Sequence, residues 1–319
     1  MTMQSPENPE KMEQTPPYHV PVMLKACLDG LNIRRDGIYV DVTFGGGGHS
    51  RAILEQLDTG KLVVFDQDPD AFENAAELQD DPRFLFIQAN FRFLKRYLKI
   101  HRIPLVDGIL ADLGVSSHQI DDASRGFSTR LDGPLDMRMN TDQDEFSAWE
   151  VVNEYSIEEL QRVLGRYGEV HNAKTLATAI FASRHNAPIE TGQALIAILK
   201  RFAPKFKEFK YYAQVFQAIR IEVNRELEAL EDFLTQTQEV IKPGGRLVIM
   251  SYHSLEDRLV KNFIQKGDFQ GEPRKDFYGN VLKPFEPVNR KPIEADDAEV
   301  ASNPRSRSAK LRVAEKLPE

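Results

Sequence analysis

Short apolar runs alternate with segments of helical periodicity from residue 18 onwards. Five runs rich in Val, Ile, Leu and Phe predict β-strands at residues 38–42, 61–65, 84–88, 106–112 and 245–251. Because the first three gaps have the length of a crossover helix, the pattern predicts an α/β fold with a mostly parallel sheet covered by helices on both faces. Alternating apolar and polar side chains at residues 307–317 predict a final strand at the sheet edge.

The gap between the fourth and fifth predicted strands is several times longer than one crossover helix requires. Ser156 and Glu159 have the spacing of a capping box ahead of a helical pattern, and two further helical patterns follow, at residues 173–187 and 191–203. We therefore predict an inserted helical domain at residues 124–212, within a parent domain formed by residues 18–123 and 213–319.

Composition narrows the possible functions. The chain has 319 residues, a formal net charge of -8 and a pI near 5.5, so any nucleic-acid contact must be local. Cys27 is the only cysteine, which excludes an internal disulfide and a cysteine-based zinc site, and we predict no metal site. Because the chain has neither a long apolar run nor a signal-peptide pattern, we expect a cytoplasmic protein with a disordered tail at residues 1–17.

Four consecutive glycines, at residues 45–48, separate the first predicted strand from a predicted helix. Such a loop lets a ligand approach the backbone and meet free N–H groups at the positive helix end. The dinucleotide pattern G-x-G-x-x-G fails here, which disfavours NAD as the ligand. The alternative ligand is S-adenosylmethionine, which would lie over this glycine loop, and Asp41 precedes the loop. Asp66, about 20 residues beyond the loop, is placed to accept hydrogen bonds from ribose hydroxyls. The alternatives are a flexible glycine linker and an Asp66 that caps a helix.

Ligands of open parallel sheets bind beyond the carboxyl ends of the strands, so the loop after the fourth strand should face the cofactor. Asp112 begins that loop and Gln119 lies within it; the alternative is a turn in which Ser116 and Ser117 cap the next helix. The Lys-Pro-Gly-Gly sequence at residues 242–245 is typical of the turn before the fifth strand in methyltransferases. His253 follows that strand, where a ring can bind a base or move a proton. A structural histidine, ahead of a helix capped by Ser254 and Asp257, is the alternative.

The chain resembles the MraW/RsmH family, bacterial S-adenosylmethionine-dependent methyltransferases that act on the N4 amine of a cytidine in the decoding centre of 16S rRNA. The resemblance runs nearly end to end and rests on seven motifs: "HVPVML", "DGIYVDVTFGGGGHSRAIL", "DGILADLGVSSHQIDDASRGFS", "DGPLDMRMN", "FQAIRIEVNREL", "SYHSLEDRLVK" and "NPRSRSAKLRV". It implies a class I, Rossmann-like methyltransferase domain interrupted by a helical substrate-recognition domain. It also implies contacts with S-adenosylmethionine at Gly47, Gly48, His49, Asp66, Phe91, Asp112 and Gln119.

Three positions depart from the family pattern. His118 replaces the proline of a Ser-Ser-Pro-Gln sequence, which leaves the loop that carries Gln119 less rigid. Tyr252 replaces a phenylalanine and adds a hydroxyl that needs a partner if buried. The His-Pro-Ala segment that typically precedes the Phe-Gln-Ala motif is missing, which puts in doubt any RNA contact assigned there.

Direct in-line transfer to cytosine N4 needs acceptors that hold the amine hydrogens, and we predict Asp112, Asp136 and His253 for this role. The alternative for Asp136 is an ion pair with Arg138 on a loop. Methylation at C5 would need a cysteine nucleophile, and Cys27 lies upstream of the glycine loop in a predicted helix, far from the strand ends.

The partner that we predict is 16S rRNA, within the small ribosomal subunit. A surface that binds RNA requires positive charge and rings on which bases stack. Residues 199–214 mix five Lys or Arg with five aromatic residues, and Arg305, Arg307, Lys310 and Arg312 form a second basic stretch. Both segments have a structural alternative, as a solvated helix end and as the solvent face of a strand. Two rival functions are an NAD-dependent oxidoreductase and an assembly factor that binds the cofactor without transferring a methyl group.

Overall fold

A computed structural model describes residues 21–142, 145–273 and 275–318. The predicted tail, residues 1–17, lies outside this part of the chain. The strands are β1 (Ile38–Asp41), β2 (Lys61–Asp66), β3 (Phe84–Gln88), β4 (Val106–Asp112), β5 (Ile241–Ser251), β6 (Phe285–Pro287) and β7 (Lys310–Lys316). The helices are α1 (Leu24–Leu31), α2 (Gly48–Glu55), α3 (Asp70–Asn74), α4 (Leu94–Ile100), α5 (Ser117–Asp121), α6 (Ala148–Asn153), α7 (Ile157–Gly168), α8 (Ala173–Ser183), α9 (Gly192–Leu199), α10 (Glu208–Asn224), α11 (Glu226–Val240), α12 (Ser254–Lys266) and α13 (Asp297–Ser302).

One sheet contains all seven of these strands, in the order β3-β2-β1-β4-β5-β7-β6. The first five strands are parallel, and β7 pairs antiparallel with both β5 and β6. The chain leaves β1 in one direction toward β2 and β3 and later returns on the other side through β4 and β5. The order therefore reverses between β1 and β4, where open α/β sheets bind their ligands.

Two features of the predicted sheet are wrong. The strand predicted at the edge, β7, is internal, because the three-residue strand β6 covers its outer side. The Lys-Pro-Gly-Gly sequence does not precede the fifth strand but lies inside β5, where the pairing with β4 jumps from Val106–Ile241 to Gly108–Arg246. The extra residues form an irregularity at the start of the strand, and Gly244 adopts a positive φ of 78° there.

Alternate residues of the central strands enter two different cores. Val63 and Phe65 of β2 face the layer that includes α4, α11 and α12, whereas Leu62 and Val64 face the layer of α1 and α2. Both faces are buried, which explains why these strands are continuous apolar runs in the sequence.

Helices α6 to α10, between β4 and β5, have a core of their own, which runs from Phe127 to Val223. The capping box predicted for α7 is present, with Ser156 and Glu159 each bonded to the other's backbone. The boundary predicted between residues 212 and 213 falls inside α10, whose buried side chains as far as Val223 pack in this helical core. The helical unit thus shares its last helix with the connection back to the sheet.

Candidate active site

Three carboxylates end three adjacent strands at the reversal of the sheet. Asp41, Asp66 and Asp112 are the last residues of β1, β2 and β4. Parallel pairing brings these ends to the same edge of the sheet. The sequence prediction that Asp66 and Asp112 lie at the strand ends next to the glycine loop is therefore confirmed as a matter of geometry.

The carboxylates of β1 and β2 hold the glycine loop in place. Asp41 is buried and accepts hydrogen bonds from the Thr43 amide (3.1 Å) and the Ser50 hydroxyl (2.6 Å), one on each side of the glycines. Asp66 Oδ2 accepts a hydrogen bond from the Gly45 amide (2.7 Å). The loop is a fixed connection between β1 and α2, so the alternative of a flexible linker is wrong.

The glycines are required for different reasons. A Cβ at Gly47, which has a φ of 75°, would lie 2.7 Å from both Arg51 and Phe44, and a Cβ at Gly48 would collide with the ring of Pro21. At Gly45, with a φ of 50°, the nearest atom would be Ser116 at 3.7 Å. The protein itself therefore closes around Gly47 and Gly48, whereas the space beside Gly45 is open.

The amino end of α2 offers unpaired backbone donors. The helix begins after Gly47 without a side-chain cap. Within the described residues, the amides of Gly48, His49 and Ser50 donate to no carbonyl or side chain. The first amides of a helix attract anionic groups, and a carboxylate is one such group.

Asp66 does not cap a helix, because α3 begins only after Pro69. Its second oxygen accepts a hydrogen bond from the Asp68 amide (2.9 Å). Burial raises the pKa of Asp66 to about 6, against the opposing effect of the hydrogen bonds from Asp68 and Gly45. A bound group that donates hydrogen bonds or brings positive charge would stabilise the ionised carboxylate.

Asp112 has a similar conflict between burial and its partners. Its side chain is 24% exposed, and burial raises its pKa to about 6 although His49 and Tyr252 act in the opposite direction. Tyr252 donates a hydrogen bond to Asp112 Oδ1 over 2.8 Å, which gives the additional hydroxyl a partner. Burial and this carboxylate raise the pKa of Tyr252 well above its ordinary value.

His49 faces the second oxygen of Asp112. The Nε2 atom of His49 lies 3.0 Å from the Val22 carbonyl, which can only accept, so Nε2 carries the hydrogen. In the neutral ring Nδ1 then has a lone pair, and it lies 3.9 Å from Asp112 Oδ2. This distance is too long for a hydrogen bond, but one N–H-bearing group can contact both acceptors. The pair is suited to hold an ammonium or an amine.

Gln119 is engaged within the protein. Its side-chain oxygen accepts from the Ser116 amide while the Ser116 hydroxyl accepts from the Gln119 amide, which confirms Ser116 as the cap of α5. Its side-chain nitrogen donates to Asp68 over 2.6 Å. Asp68 also pairs with the buried Arg125, at 3.0 Å. Sequence reasoning missed Asp68 and Arg125, although the sequence "DQDPD", which begins at the last residue of β2, carries three acids close together.

Phe91 follows β3 and begins a 3-10 helix that Asn90 caps. Its half-buried ring contacts Phe233 of α11 edge to face, with 5.3 Å between centroids. Asn90 also donates to Gln67 (2.7 Å), next to Asp66. These contacts place Phe91 at the wall formed by the ends of β2 and β3.

Asp136 and His253 are held by neighbours. Asp136 pairs with Arg138 through both of its oxygens, at 3.0 and 2.6 Å, as the alternative interpretation expected. His253 is itself the N-cap of α12, because its Nδ1 accepts from the Glu256 amide. The cap predicted at Ser254 is therefore wrong by one residue, and Asp257 pairs instead with Arg312 (2.7 Å).

Glu226, His253 and Glu256 bring three potential metal ligands within 4.8 Å of one another. Arg220, however, already bonds both oxygens of Glu226, at 2.8 and 2.9 Å. Burial alone would raise the pKa of Glu256, but the His253 ring and Arg220 hold it below its ordinary value. A guanidinium thus supplies positive charge at this cluster.

Comparison with known proteins decides the family. The family model of the MraW methylase family matches residues 17–317. The chain belongs to that family. A relative from Cytophaga hutchinsonii, named ribosomal RNA small subunit methyltransferase H, is 59% identical over 94% of this chain and 99% of its own length. Proteins of the same name from Amoebophilus asiaticus and Christiangramia forsetii are each 56% identical, over 95% and 94% of this chain and 97% and 98% of their own lengths.

Membership of the MraW family confirms three predictions. The protein is a methyltransferase, its cofactor is S-adenosylmethionine, and its mostly parallel seven-stranded sheet is the Rossmann-like fold of class I methyltransferases. The alternative of an NAD-dependent oxidoreductase is wrong. None of the helices in the described part of the chain is long and apolar enough to cross a bilayer.

The residues at the strand ends fit S-adenosylmethionine. The cofactor carries an ammonium, a sulfonium and a carboxylate. Burial is the main cause that raises the pKa of Asp66 and of Asp112, and the negative charge of Asp41 adds to this effect. The two positive groups of the cofactor would stabilise the ionised carboxylates. The unpaired amides at the start of α2 suit the carboxylate. The open space beside Gly45 lets the ligand approach the backbone of the glycine loop.

Proposed function

We propose that this protein transfers a methyl group from S-adenosylmethionine to the N4 amine of a cytidine in the decoding centre of 16S rRNA. The names of its relatives, which are 52–59% identical, support methylation of small-subunit ribosomal RNA. The resemblance of its motifs to the MraW/RsmH family supports the nucleotide and the atom. The substrate is the RNA within the small ribosomal subunit, and the helical unit between β4 and β5 takes part in its recognition.

The observation that carries the chemistry is the position of Asp112 Oδ2, 3.9 Å from His49 Nδ1 at the carboxyl ends of the strands. Cytosine N4 shares its lone pair with the ring, so the nitrogen becomes a nucleophile only when it pyramidalises. An acceptor that holds an amine hydrogen favours that geometry. Asp112 is partly exposed and stands at the sheet edge where ligands bind, so we assign the grip on the amine to it.

Bound S-adenosylmethionine supplies an electrophilic methyl group on a sulfonium. Seven residues would hold it, in the roles that the family resemblance implies: Gly47, Gly48, His49, Asp66, Phe91, Asp112 and Gln119. Asp66 would accept from the ribose hydroxyls, and the Phe91 ring would pack on adenine. Holding cofactor and base in line accounts for several kcal/mol of a typical barrier reduction, about 7–11 kcal/mol at the upper limit.

No covalent intermediate with the protein is needed. Cys27 is fully buried in α1, and burial, aided by Asp112 and Asp41, raises its pKa well above the ordinary value. A thiol in that state is a poor nucleophile. This supports direct transfer to an exocyclic amine over addition to the pyrimidine ring.

Asp136 and His253 remain candidates of second rank for contact with the amine. Each would have to exchange a present partner, Arg138 or Glu256, for the substrate. His253 nonetheless lies next to Tyr252, whose hydroxyl bonds Asp112, so its position at the end of β5 is close to the proposed chemistry.

Methyl transfer is tested with isotopically labelled S-adenosylmethionine and small subunits from cells that lack the enzyme. After incubation, the 16S RNA is digested and the labelled nucleoside is identified by mass spectrometry. We expect N4-methylcytidine at a single position. A ribose-methylated or ring-methylated nucleoside would contradict the proposal.

The variant Asp112→Asn distinguishes an enzyme from an assembly factor that only binds the cofactor. The amide keeps the shape of the side chain and an acceptor for Tyr252, but it loses the negative charge. Single-turnover transfer at saturating cofactor is expected to fall by about 10²-fold or more. If the wild-type protein binds S-adenosylmethionine and small subunits yet transfers no label, the assembly-factor function is correct.

A further inference from the structure

The segment between α9 and the first turn of α10 exposes aromatic rings. The side chain of Phe206 is 96% exposed and that of Phe209 is 78% exposed. Five cations surround these rings in the sequence and are exposed as well: Lys200, Arg201, Lys205, Lys207 and Lys210. We call these seven residues the Phe206 patch.

The cations of the Phe206 patch lack acidic partners. In the described part of the chain, none of the five lies within 4.0 Å of a carboxylate oxygen. The one acid inside the segment, Glu208, accepts a hydrogen bond from the Phe206 amide over 3.1 Å. A protein with a net charge of -8 thus concentrates five unpaired positive charges within eleven residues. Such a local field attracts an anionic partner.

Phe206 occupies a strained backbone conformation. Its φ is 65°, in the left-handed region that a bulky side chain rarely adopts. The turn around it is fixed by the Lys207 amide, which donates to the Pro204 carbonyl over 3.1 Å, and by Glu208. Because the ring is almost fully exposed, burial of the ring does not offset the energetic cost of this strain. Strain of this kind is typical of functional positions.

The Phe206 patch is joined to the active site by α10. The helix begins at Glu208 and ends at Asn224, about 24 Å away at 1.5 Å per residue. Asn224 accepts from the Met139 amide (2.7 Å), and the sulfur of Met139 accepts from Gln67, beside Asp66. Helix α10, with Met139 and Gln67, therefore connects the exposed aromatic rings to the wall of the cofactor pocket.

We propose that the Phe206 patch binds a single-stranded segment of the substrate RNA at a distance from the target base. Phe206 and Phe209 stack on bases, and the five cations contact phosphates. Exposed rings interleaved with unpaired positive charge are the surface that single-stranded nucleic acid requires. The inference deepens the proposed function and rests on an RNA substrate, but it concerns a surface outside the cofactor pocket.

Binding is measured by fluorescence anisotropy with a labelled 12-nucleotide single-stranded RNA, without cofactor. The variant Phe206→Ala/Phe209→Ala is expected to bind at least about tenfold more weakly. The matched control is Phe277→Ala/Tyr278→Ala, which removes rings that are 97% and 85% exposed on another turn. We expect this control to bind like the wild-type protein. Equal affinities for all three proteins would overturn the proposal.

The charge contribution is read from the salt dependence of the same affinity. The variant Lys205→Gln/Lys207→Gln/Lys210→Gln is expected to reduce the slope of log affinity against log salt by about 2, at about 0.7 per phosphate contact. An unchanged slope would show that these lysines contact no phosphate and would contradict the proposal.

Stability separates binding from a structural role. Phe206→Gly removes the backbone strain, so its Tm should rise by about 2 °C although RNA binding weakens. Phe206→Tyr should keep the affinity. If Phe206→Gly lowers the Tm, or if sedimentation shows a dimer that only the ring variants lose, the patch packs against protein and the proposal fails. The anisotropy readout needs no methyl transfer, so a failure of the proposed activity leaves these outcomes distinguishable.

Discussion

At the scale of single residues, the chemistry depends on the ionisation of Asp112. Burial raises its pKa to about 6, while His49 and the Tyr252 hydroxyl oppose that rise. Tyr252 is therefore a positioning residue, because it acts on the substrate only through the carboxylate that it bonds. At neutral pH the carboxylate is ionised and can accept from the amine.

The variant Tyr252→Phe tests that role. Loss of the hydrogen bond, which is worth about 1.5–3 kcal/mol to a charged acceptor, should raise the pKa of Asp112 by one unit or more. The acid limb of the profile of methyl transfer against pH, which falls as pH drops through about 6, should then shift upward. Tyr39→Phe is the control, because it also removes a tyrosine hydroxyl, but one that accepts from the Arg34 amide and does not bond Asp112. Acid limbs that coincide in all three proteins would rule out the role of Tyr252.

Gly48 is a second position at which a single added carbon atom should change the stability of the protein. In Gly48→Ala the new methyl group collides with the ring of Pro21, so we expect a loss of about 1–3 kcal/mol of unfolding free energy. The double variant Pro21→Ala/Gly48→Ala removes the colliding ring atoms and should recover most of that loss. Denaturant unfolding of the four proteins in this cycle measures the coupling. Additive losses would mean that Pro21 does not pack on the glycine loop.

At the scale of elements, the sequence predicts what local patterns determine. Apolar runs located β1 to β5, and the capping box located the start of α7, because both signals lie within a few neighbouring residues. The three residues of β6 are too few to show any alternation. The cap of α12 was misplaced because an imidazole nitrogen there takes the part that rules of residue type give to serine.

His253 illustrates how a cap and a catalytic group can be separated. His253→Asn keeps a side chain that caps helices well, whereas His253→Ala removes the cap and should cost about 1 kcal/mol of stability. Because Glu256 occupies the ring in the present structure, we expect His253→Asn to retain its Tm and to transfer methyl groups within about tenfold of the wild-type rate. A 100-fold loss of kcat at an unchanged Tm would instead make the ring a catalytic group.

At the scale of the whole molecule, the site depends on contacts that sequence spacing does not show. Arg125 meets Asp68 across 57 positions, and Asn224 meets Met139 across 85. The first contact joins the start of the helical unit to the loop after β2, and the second fixes Met139, whose sulfur accepts from Gln67 in that loop. The residue types of the pocket were predictable from strand ends and from family resemblance. Only the three-dimensional structure shows which of them already contact other parts of the protein, as Gln119 does with Asp68 and Gly48 does with Pro21.

The strand-end carboxylates also link cofactor binding to pH. The pKa values of Asp66 and Asp112, about 6, lie above their unfolded value of 3.8, so the folded protein binds more protons than the unfolded chain between these limits. Their contribution to stability is therefore full below the unfolded pKa and is lost as pH rises through about 6. A cationic ligand that stabilises the ionised carboxylates must release protons when it binds near pH 6.

Calorimetric titration of S-adenosylmethionine at pH 6, in two buffers of different ionisation enthalpy, tests this central claim most directly. We predict binding with a net release of protons, and an affinity that rises between pH 5 and pH 7. The variant Asp66→Asn should release fewer protons and bind more weakly. Binding without any proton release, or with an affinity that does not change between pH 5 and pH 7, would contradict the assignment of these carboxylates to the cofactor.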